Sequence, residues 1–106
     1  MPSLPSDAAV MARAQEWLHR IQTGRIDRAQ LDAQMNALLT ADVARRLAAQ
    51  FGALGQPTSF TPAGKEIVES NTAYIYRVAF ATTTLDEIFV LDGSGLISGL
   101  RFTPAQ

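Results

Sequence analysis

The sequence YIYRVAFATTTLDEIFVLDGSGLISGLRF, residues 74–102, decides the fold class of this chain. Apolar and polar side chains alternate along most of it, with the period of two that is typical of a half-buried β-strand. Turn-forming residues interrupt the alternation at Thr82-Thr83-Thr84 and at Asp92-Gly93-Ser94-Gly95. Because these connections are short, they predict an antiparallel meander.

The alternation also sets the strand boundaries and their register. The predicted strands cover residues 58–62, 65–70, 73–82, 85–91 and 95–103. Pro62 lacks a backbone N–H group and therefore predicts a short edge element for the first of them. Two-residue turns at Thr83-Thr84 and at Gly93-Ser94 would place Phe80 and Leu100 opposite Glu87.

This register separates two faces of the sheet. The inner face is predicted to carry Tyr74, Tyr76, Val78, Phe80, Leu85, Phe89, Leu91, Leu96, Leu100 and Phe102, with Glu87 among them. The outer face is predicted to carry Ile75, Arg77, Ala79, Ala81, Asp86, Ile88, Val90, Ile97 and Arg101, with Asp86 opposite Arg101. Such an apolar outer face predicts a homodimer through Ile75, Ala79, Ile88, Val90 and Ile97.

The N-terminal half changes to a helical period. Ser6 is a predicted N-cap for a first helix that ends at Thr23-Gly24, with an apolar stripe at Val10, Ala14, Trp17, Leu18 and Ile21. Asp27 and Gln30 predict a second helix bearing Leu31, Met35, Leu38 and Leu39. Thr40 caps a third, which carries Val43, Leu47, Phe51 and Leu54 and stops at Gly55 and Pro57.

Helices followed by strands predict a single α+β domain over residues 1–106, with three N-terminal helices packed on a curved antiparallel sheet of four to five strands. The formal net charge of −1 provides no electrostatic footprint for nucleic acid or an anionic membrane. The absence of cysteine and the single histidine disfavour a metal site, and we expect no cofactor. No stretch has the length of a membrane span. By default we expect a cytoplasmic protein, with a cleaved export signal left open.

The glycine-rich stretch 91–102 resembles two functional motifs at first sight. A dinucleotide fingerprint needs G-x-G-x-x-G before a helix, but this spacing is G-x-G-x-x-x-G before a strand. A nucleophile elbow needs G-x-S-x-G at a strand-to-helix turn, and neither Ser94 nor Ser98 has that context. The stretch is therefore interpreted as a turn.

Glu87 is the one residue out of place, because its carboxylate projects from the apolar face. With Tyr76 or Tyr74 as donor it is a candidate catalytic acid or base, although the predicted register places Tyr76 too far away for a direct hydrogen bond. The candidate ligand pocket comprises Trp17, Tyr76, Phe80, Glu87, Phe89 and Leu100. His19 is interpreted as a surface residue, and the basic group at His19, Arg20, Arg25 and Arg28 as a solvated cluster at a helix end.

The chain resembles the nuclear-transport-factor-two-like superfamily (SnoaL-like, with a cystatin-like cone), and in particular a small bacterial branch of uncharacterised domains found alone or beside serine-hydrolase modules. The residues that carry the resemblance are Trp17-Leu18, Leu54-Gly55-x-Pro57, Tyr74-x-Tyr76-Arg77-Val78-x-Phe80 and Leu91-Asp92-x-x-Gly95-x-Ile97-x-Gly99-Leu100-x-Phe102. The resemblance implies a sheet curved around the helices as a cone, often dimeric through its outer face.

Enzymes of that superfamily include ketosteroid isomerase, with an Asp base and Tyr and protonated Asp donors, and dehydratases that use His and Asp. This chain has no aspartate on the predicted inner face, and His19 does not match a strand histidine, so no catalytic residue carries over. We therefore expect a non-enzymatic homodimeric domain that binds a small apolar ligand or acts as an accessory module. The alternatives are an isomerase or dehydratase-like enzyme using Glu87 with a Tyr donor, and an interaction module whose cone is filled by its own side chains.

Overall fold

The computed structural model describes residues 7–105, so the predicted N-cap Ser6 lies outside the described residues. Within that range three α-helices precede an open four-stranded antiparallel sheet of order β1-β2-β3-β4, which confirms the α+β class. The elements are α1 (Asp7–Thr23), a 3-10 turn (Arg28–Gln30), α2 (Ala33–Leu38), α3 (Ala41–Gly52), β1 (Ser59–Val68), β2 (Asn71–Ala79), β3 (Thr84–Leu91) and β4 (Ile97–Pro104).

The apolar stripe of α1 forms as the sequence predicts. Its members Val10, Ala14, Trp17, Leu18 and Ile21 are all buried. The helix ends where Gly24 adopts a φ of 74°, a left-handed conformation that glycine tolerates without steric strain. Helix α1 therefore presents one continuous apolar face to the sheet.

The prediction of a single second helix from Asp27 is wrong. The Asp27 carboxylate accepts from the Ala29 N–H and caps only the 3-10 turn, whereas Asp32 accepts from the Met35 N–H at 2.8 Å and starts α2. Between the two caps Leu31 is extended and bridges Ile97 of β4. The second capping carboxylate divides the segment, and Leu38, one of the predicted apolar positions, is exposed.

The third helix begins at its predicted cap, since the Thr40 hydroxyl accepts from the Val43 N–H at 3.2 Å. After α3 the chain turns at Gly55, whose φ is 75°, and enters the sheet beyond Pro57. The Phe51 ring of α3 lies 4.9 Å from the Phe102 ring of β4, between centroids. This contact ties α3 to the last strand.

The two predicted N-terminal strands are one. Most of the predicted residues 58–62 and 65–70 lie in one continuous strand, β1 (Ser59–Val68), because an irregularity between Pro62 and Gly64 lets pairing with β2 resume beyond the proline. A bulge of this kind adds a residue without ending the strand. Pro62 does lie on an edge strand, as predicted.

The predicted register of β2 with β3 is wrong by four residues. Tyr76, rather than Phe80, lies opposite Glu87. The reason is the position of the turn, which is centred on Ala81 and Thr82, where the Phe80 N–H donates to the Thr83 carbonyl at 2.7 Å. A shift by an even number keeps every side chain on its predicted face.

The connection between β3 and β4 is also longer than predicted. The Asp92 N–H donates to the Leu96 carbonyl, and Gly95 has a φ of 88°, as in a three-residue hairpin loop with a left-handed residue at its end. Phe102 rather than Leu100 therefore lies opposite Glu87. A further irregularity between Val90 and Leu91 turns Ile97 inward, where it is fully buried. Ile97 is thus wrongly assigned to the outer face.

The helices and the inner face enclose one apolar core. Its sheet members include Tyr74, Tyr76, Val78, Phe80, Phe89, Leu91 and Ile97, and α1 contributes Val10, Ala14, Trp17 and Leu18. On the outer face the predicted pair of Asp86 with Arg101 does not form. Asp86 instead accepts from Arg77 Nε at 3.2 Å, because Arg77 is its partner on β2.

Candidate functional site

The most unusual group of the core is the Glu87 carboxyl. Strand alternation directs it inward, between Tyr76 of β2 and Phe102 of β4. The residue is 0% exposed, and neither carboxylate oxygen has a hydrogen-bond partner. Burial raises the pKa of Glu87 well above its usual value, because the apolar surroundings disfavour the charged form. The fold therefore favours a neutral carboxylic acid, which can donate one hydrogen bond and accept others.

Tyr76 is the polar neighbour of this acid. Directly opposite residues of antiparallel strands have Cβ atoms about 4.5–5.5 Å apart, so the two side chains start side by side. Burial, and to a smaller extent Tyr74, Asp7 and Glu87, raise the pKa of the Tyr76 hydroxyl to about 12. The Tyr76 ring lies 5.1 Å from the Phe60 ring, between centroids. A tyrosine in this state is a hydrogen-bond donor rather than a base.

Tyr74 lies further along the same face. It is paired with Phe89 rather than with Glu87, and Lys65 Nζ lies 5.3 Å from the centre of its ring. The same lysine contacts the Asp7 carboxylate at 3.2 Å. Tyr74 is therefore engaged with a surface cation and is the weaker of the two tyrosine candidates.

A cleft of about 270 Å³ opens beside the two tyrosines, lined by Asp7, Pro62, Gly64, Lys65, Tyr74 and Tyr76. Glu87 does not line it. Tyr76 thus borders the cleft on one side and neighbours the buried acid on the other.

The six predicted pocket residues are not gathered around one open space. Trp17, Glu87 and Phe89 are 0% exposed, and Phe80 is buried as well. Leu100 lines a different cleft, of about 230 Å³, next to α3. Around Glu87 the inner face is filled by the protein's own side chains.

Trp17 has a structural partner that the sequence did not reveal. Its indole N–H donates to Gln30 Oε1 at 3.0 Å, and Arg13 Nε donates to the same oxygen at 2.9 Å. The Gln30 amide nitrogen donates to Asp27 at 2.8 Å. Gln30 matches the helix-capping pattern in the sequence, and its contact with Trp17 arises only from tertiary packing. Its bond satisfies the indole N–H, so Trp17 acts as a core anchor.

The basic residues near the first helix end contact backbone carbonyls. Arg28 donates to the Leu39 carbonyl at 2.6 Å, and Arg20 to the Arg25 carbonyl at 3.2 Å. Arg20 also pairs with Glu16. His19 is exposed on α1. These contacts hold Arg20 and Arg28 against backbone carbonyl groups near the helix ends.

The glycine-rich stretch is a turn held by one carboxylate. Asp92 Oδ1 accepts from the Ser94 N–H, the Ser94 hydroxyl and the Leu96 N–H at 2.9, 2.7 and 3.0 Å. Several donors on one carboxylate lower the pKa of Asp92, the Ser94 hydroxyl most of all. Ser94 therefore supports the turn, and its hydroxyl is bound to the carboxylate that holds the turn.

The outer face of the sheet is the second candidate site. Its apolar centre consists of Ile75, Ile88 and Val90, all half-buried, flanked by Ala73 and Ala79. Glycines lie opposite two of these residues on the edge strands, Gly64 beside Ile75 and Gly99 beside Val90. The helical residues of the core pack on the other face, and within residues 7–105 no element covers this one. The centre of this face is therefore apolar and without cover from the described residues.

No protein-family model matches this chain, and no curated protein does either. In the part of the chain that the structure describes, no group of three or more acidic, histidine or cysteine side chains could hold a metal ion. None of the helices within 7–105 is long and apolar enough to cross a membrane. The candidate sites are therefore argued from their geometry.

Proposed function

We propose that this chain is a non-enzymatic homodimeric domain of the nuclear-transport-factor-two-like type, acting as an accessory or interaction module. The observation that supports the proposal is the outer sheet face, whose apolar centre at Ile75, Ile88 and Val90 has no cover within residues 7–105. Burying apolar area contributes about 25 cal/mol per Å². A second copy provides such cover through the same face.

The charges on this face suit contact with a copy of itself. Arg77 and Asp86 neutralise each other beside the apolar centre, at 3.2 Å. A two-fold dimer brings each patch against its own equivalent, so a patch with a net charge would repel itself. The other charges on this face are the exposed Glu66, opposite Ala73, and the exposed Arg101, opposite Ile88. Together with the Arg77–Asp86 pair they leave the face without net charge, and the apolar residues make the attractive contact.

The experiment compares the wild type with Ile88→Glu by light scattering at micromolar concentration. We expect twice the chain mass for the wild type and the single mass for the variant, because two glutamates would be buried against each other. Ile67→Glu is the matched control, since Ile67 is 72% exposed and lies opposite Thr72, on the other face of the sheet. A monomeric wild type contradicts the dimer, and a dimer that survives Ile88→Glu contradicts this interface.

A second candidate function is supported by the pairing of Glu87 with Tyr76. A neutral carboxylic acid beside a tyrosine hydroxyl can transfer a proton to a small, largely apolar molecule, or can bind such a molecule by hydrogen bonds without a reaction. Either role requires the cleft beside Tyr76 to open as far as Glu87. The isomerase or dehydratase hypothesis and the small-ligand hypothesis share this requirement.

Dicyclohexylcarbodiimide tests whether a small molecule can reach Glu87, because this apolar reagent modifies protonated carboxyls. Modification of Glu87 near neutral pH, mapped by mass spectrometry and absent in Glu87→Gln, would support an inner face that admits small molecules. A Glu87 that stays unmodified while exposed carboxyls react at lower pH would contradict both hypotheses and favour a permanently filled core.

A further inference from the structure

The two edges of the open sheet differ in their capacity to pair with another strand. Strand β1 carries Pro62, an irregularity before Gly64, and Lys65. Proline, bulges and lysine are the features by which edge strands avoid further pairing. Strand β4 has Pro104 at its very end and one irregularity between Ile97 and Gly99, and neither lies within residues 100–102. The β4 edge is therefore the one that can accept a strand.

Only the beginning of β4 is already covered. The Asp32 N–H donates to the Ile97 carbonyl at 3.0 Å, and Leu31 bridges Ile97. No other segment within residues 7–105 pairs with β4 on the side away from β3. Ala105 donates to Thr84 of β3, and backbone groups alternate in direction along a strand. Leu100 and Phe102 therefore direct their backbone N–H and carbonyl groups to the free edge.

An apolar cleft of about 230 Å³ runs along this free edge. Its lining includes four consecutive residues of β4, 100–103, and consecutive residues of a strand point to opposite faces. A cleft that touches all four must lie against the strand edge. Leu47 and Phe51 of α3 line it from the helix side. A side chain entering from a neighbouring strand would thus meet an apolar wall.

Arg101, between Leu100 and Phe102 on β4, places a positive charge beside this cleft. Arg101 is exposed, lies on the outer face opposite Ile88, and forms no ion pair with any residue in 7–105. A strand added to β4 would place one residue opposite Leu100, the next opposite Arg101 and the third opposite Phe102. The first and third would face the cleft, and the middle one would face the guanidinium.

We propose that the β4 edge and its cleft bind an extended peptide segment of a partner protein, with an acidic residue between two apolar ones. Strand addition is a common mode of peptide recognition, in which backbone hydrogen bonds supply affinity and alternate side chains supply specificity. A second copy of β4 is a poorer occupant, because pairing centred on this position would bring two Arg101 side chains together. This site goes beyond the proposed dimer, which uses the outer face rather than the edge.

The test uses fluorescein-labelled Thr-Val-Glu-Val-Thr with the full chain. We expect saturable binding below about 1 mM, with the largest amide shifts in NMR spectra at residues 99–103. Thr-Val-Lys-Val-Thr and a peptide N-methylated at both valines should bind at least tenfold more weakly. The lysine of the first peptide would repel the Arg101 guanidinium. The second peptide has no valine N–H groups to donate to the β4 edge, and the protein itself is unchanged.

Arg101→Glu should weaken the glutamate peptide at least tenfold and reverse the preference toward the lysine peptide. Arg46→Glu, at an exposed arginine of α3, is the matched control and should change neither affinity. No saturable binding, or binding insensitive to N-methylation and to Arg101→Glu, would overturn the proposal. The proposal would also be overturned if the peptide acted only by dissociating a dimer, since a second copy of the chain would then occupy the β4 edge. Repeating the titration with Ile75→Glu, on β2 and not next to Arg101, separates the edge from the outer face.

Discussion

Tyr76 lies directly across from Glu87 on the neighbouring strand, yet the Glu87 carboxyl has no hydrogen-bond partner. The pair combines a buried acid, whose pKa is raised by burial, with a tyrosine whose pKa is raised to about 12. Burial thus favours the neutral form of both groups, in which each can donate a hydrogen bond. An unpartnered group of this kind lowers stability, so its effect can be measured directly.

Replacing Glu87 by leucine should stabilise the protein. The change keeps a similar volume and removes two buried oxygens without partners, which favours folding by about 1–3 kcal/mol. Urea unfolding of the two proteins measures the difference. Gln50→Leu is the control, at an exposed position of α3, and should stay within about 0.5 kcal/mol of the wild type. A Glu87→Leu variant less stable than the wild type would mean that the carboxyl makes a favourable interaction.

The same group predicts the pH dependence of stability. The folded-state pKa of Glu87 lies above its usual value of about 4.5, so the folded protein holds a proton that the unfolded chain releases. This contribution is complete below pH 4.5 and is lost as the pH rises toward the folded-state pKa, with a limiting slope of about 1.4 kcal/mol per pH unit. Asp27 and Asp92 have lowered pKa values and act with the opposite sign, below their usual value of 3.8.

Urea unfolding at several pH values above 4.5 checks this prediction. The stability difference between the wild type and Glu87→Leu should widen with pH, because the leucine variant has no proton to lose. A difference that stays constant over the whole range would show that Glu87 titrates alike in the folded and unfolded states.

Side-chain periodicity was enough to predict most of the buried residues, with Leu38 and Ile97 as exceptions. The stripe from Val10 to Ile21 and the inward set around Tyr76 and Phe89 follow from periods of 3.6 and two, which depend only on local backbone geometry. The register could not be predicted in the same way. It depends on which residues close a turn, and the threonine run allowed a turn at Ala81-Thr82 as readily as two residues later.

The candidate site changed with the register. In the predicted pairing Tyr76 is far from Glu87, and the turn at Ala81-Thr82 makes the two direct neighbours. The burial of Glu87 could be predicted from alternation alone. The filling of the space around it could not, because that depends on how α1 and the sheet pack together. The inward position of Ile97 could not be predicted either, because it depends on an irregularity in β4 that the alternation of apolar and polar residues does not indicate.

Replacing Gln30 by leucine should lower the stability of the protein. Its side-chain oxygen accepts from the fully buried Trp17 indole N–H, so Gln30→Leu leaves that donor without a partner. We expect a loss of about 1–3 kcal/mol in the free energy of unfolding. Gln50→Leu, at an exposed position of α3, is the matched control. Equal effects of the two substitutions would show that the bond to Trp17 contributes nothing to stability.

A methyl group at Gly99 should lower the stability of the protein. A Cβ atom at this position would lie 3.0 Å from Val90 Cγ2 and 3.2 Å from Val90 Cβ, so Gly99→Ala forces the strands or the valine to move. Overpacking of this kind costs about 1–3 kcal/mol. Gly64→Ala is the control on the same face, where the nearest atom is Ile75 Cδ1 at an ordinary 3.5 Å. The combination of Gly99→Ala with Val90→Ala should recover part of the loss, and a purely additive pair would contradict the steric explanation.

The Asp92 carboxylate should stabilise the turn between β3 and β4. One carboxylate oxygen accepts from the Ser94 N–H, the Ser94 hydroxyl and the Leu96 N–H, and thereby fixes the loop that aligns β3 with β4. Asp92→Ala removes all three bonds and should lower stability by about 1–2 kcal/mol, whereas Asp92→Asn keeps an acceptor oxygen and should lose less than half of that. Because the loop sets the approach of β4 to its free edge, hydrogen exchange at residues 99–103 should accelerate in Asp92→Ala. Unchanged exchange there, together with unchanged stability, would show that the strands align without the carboxylate.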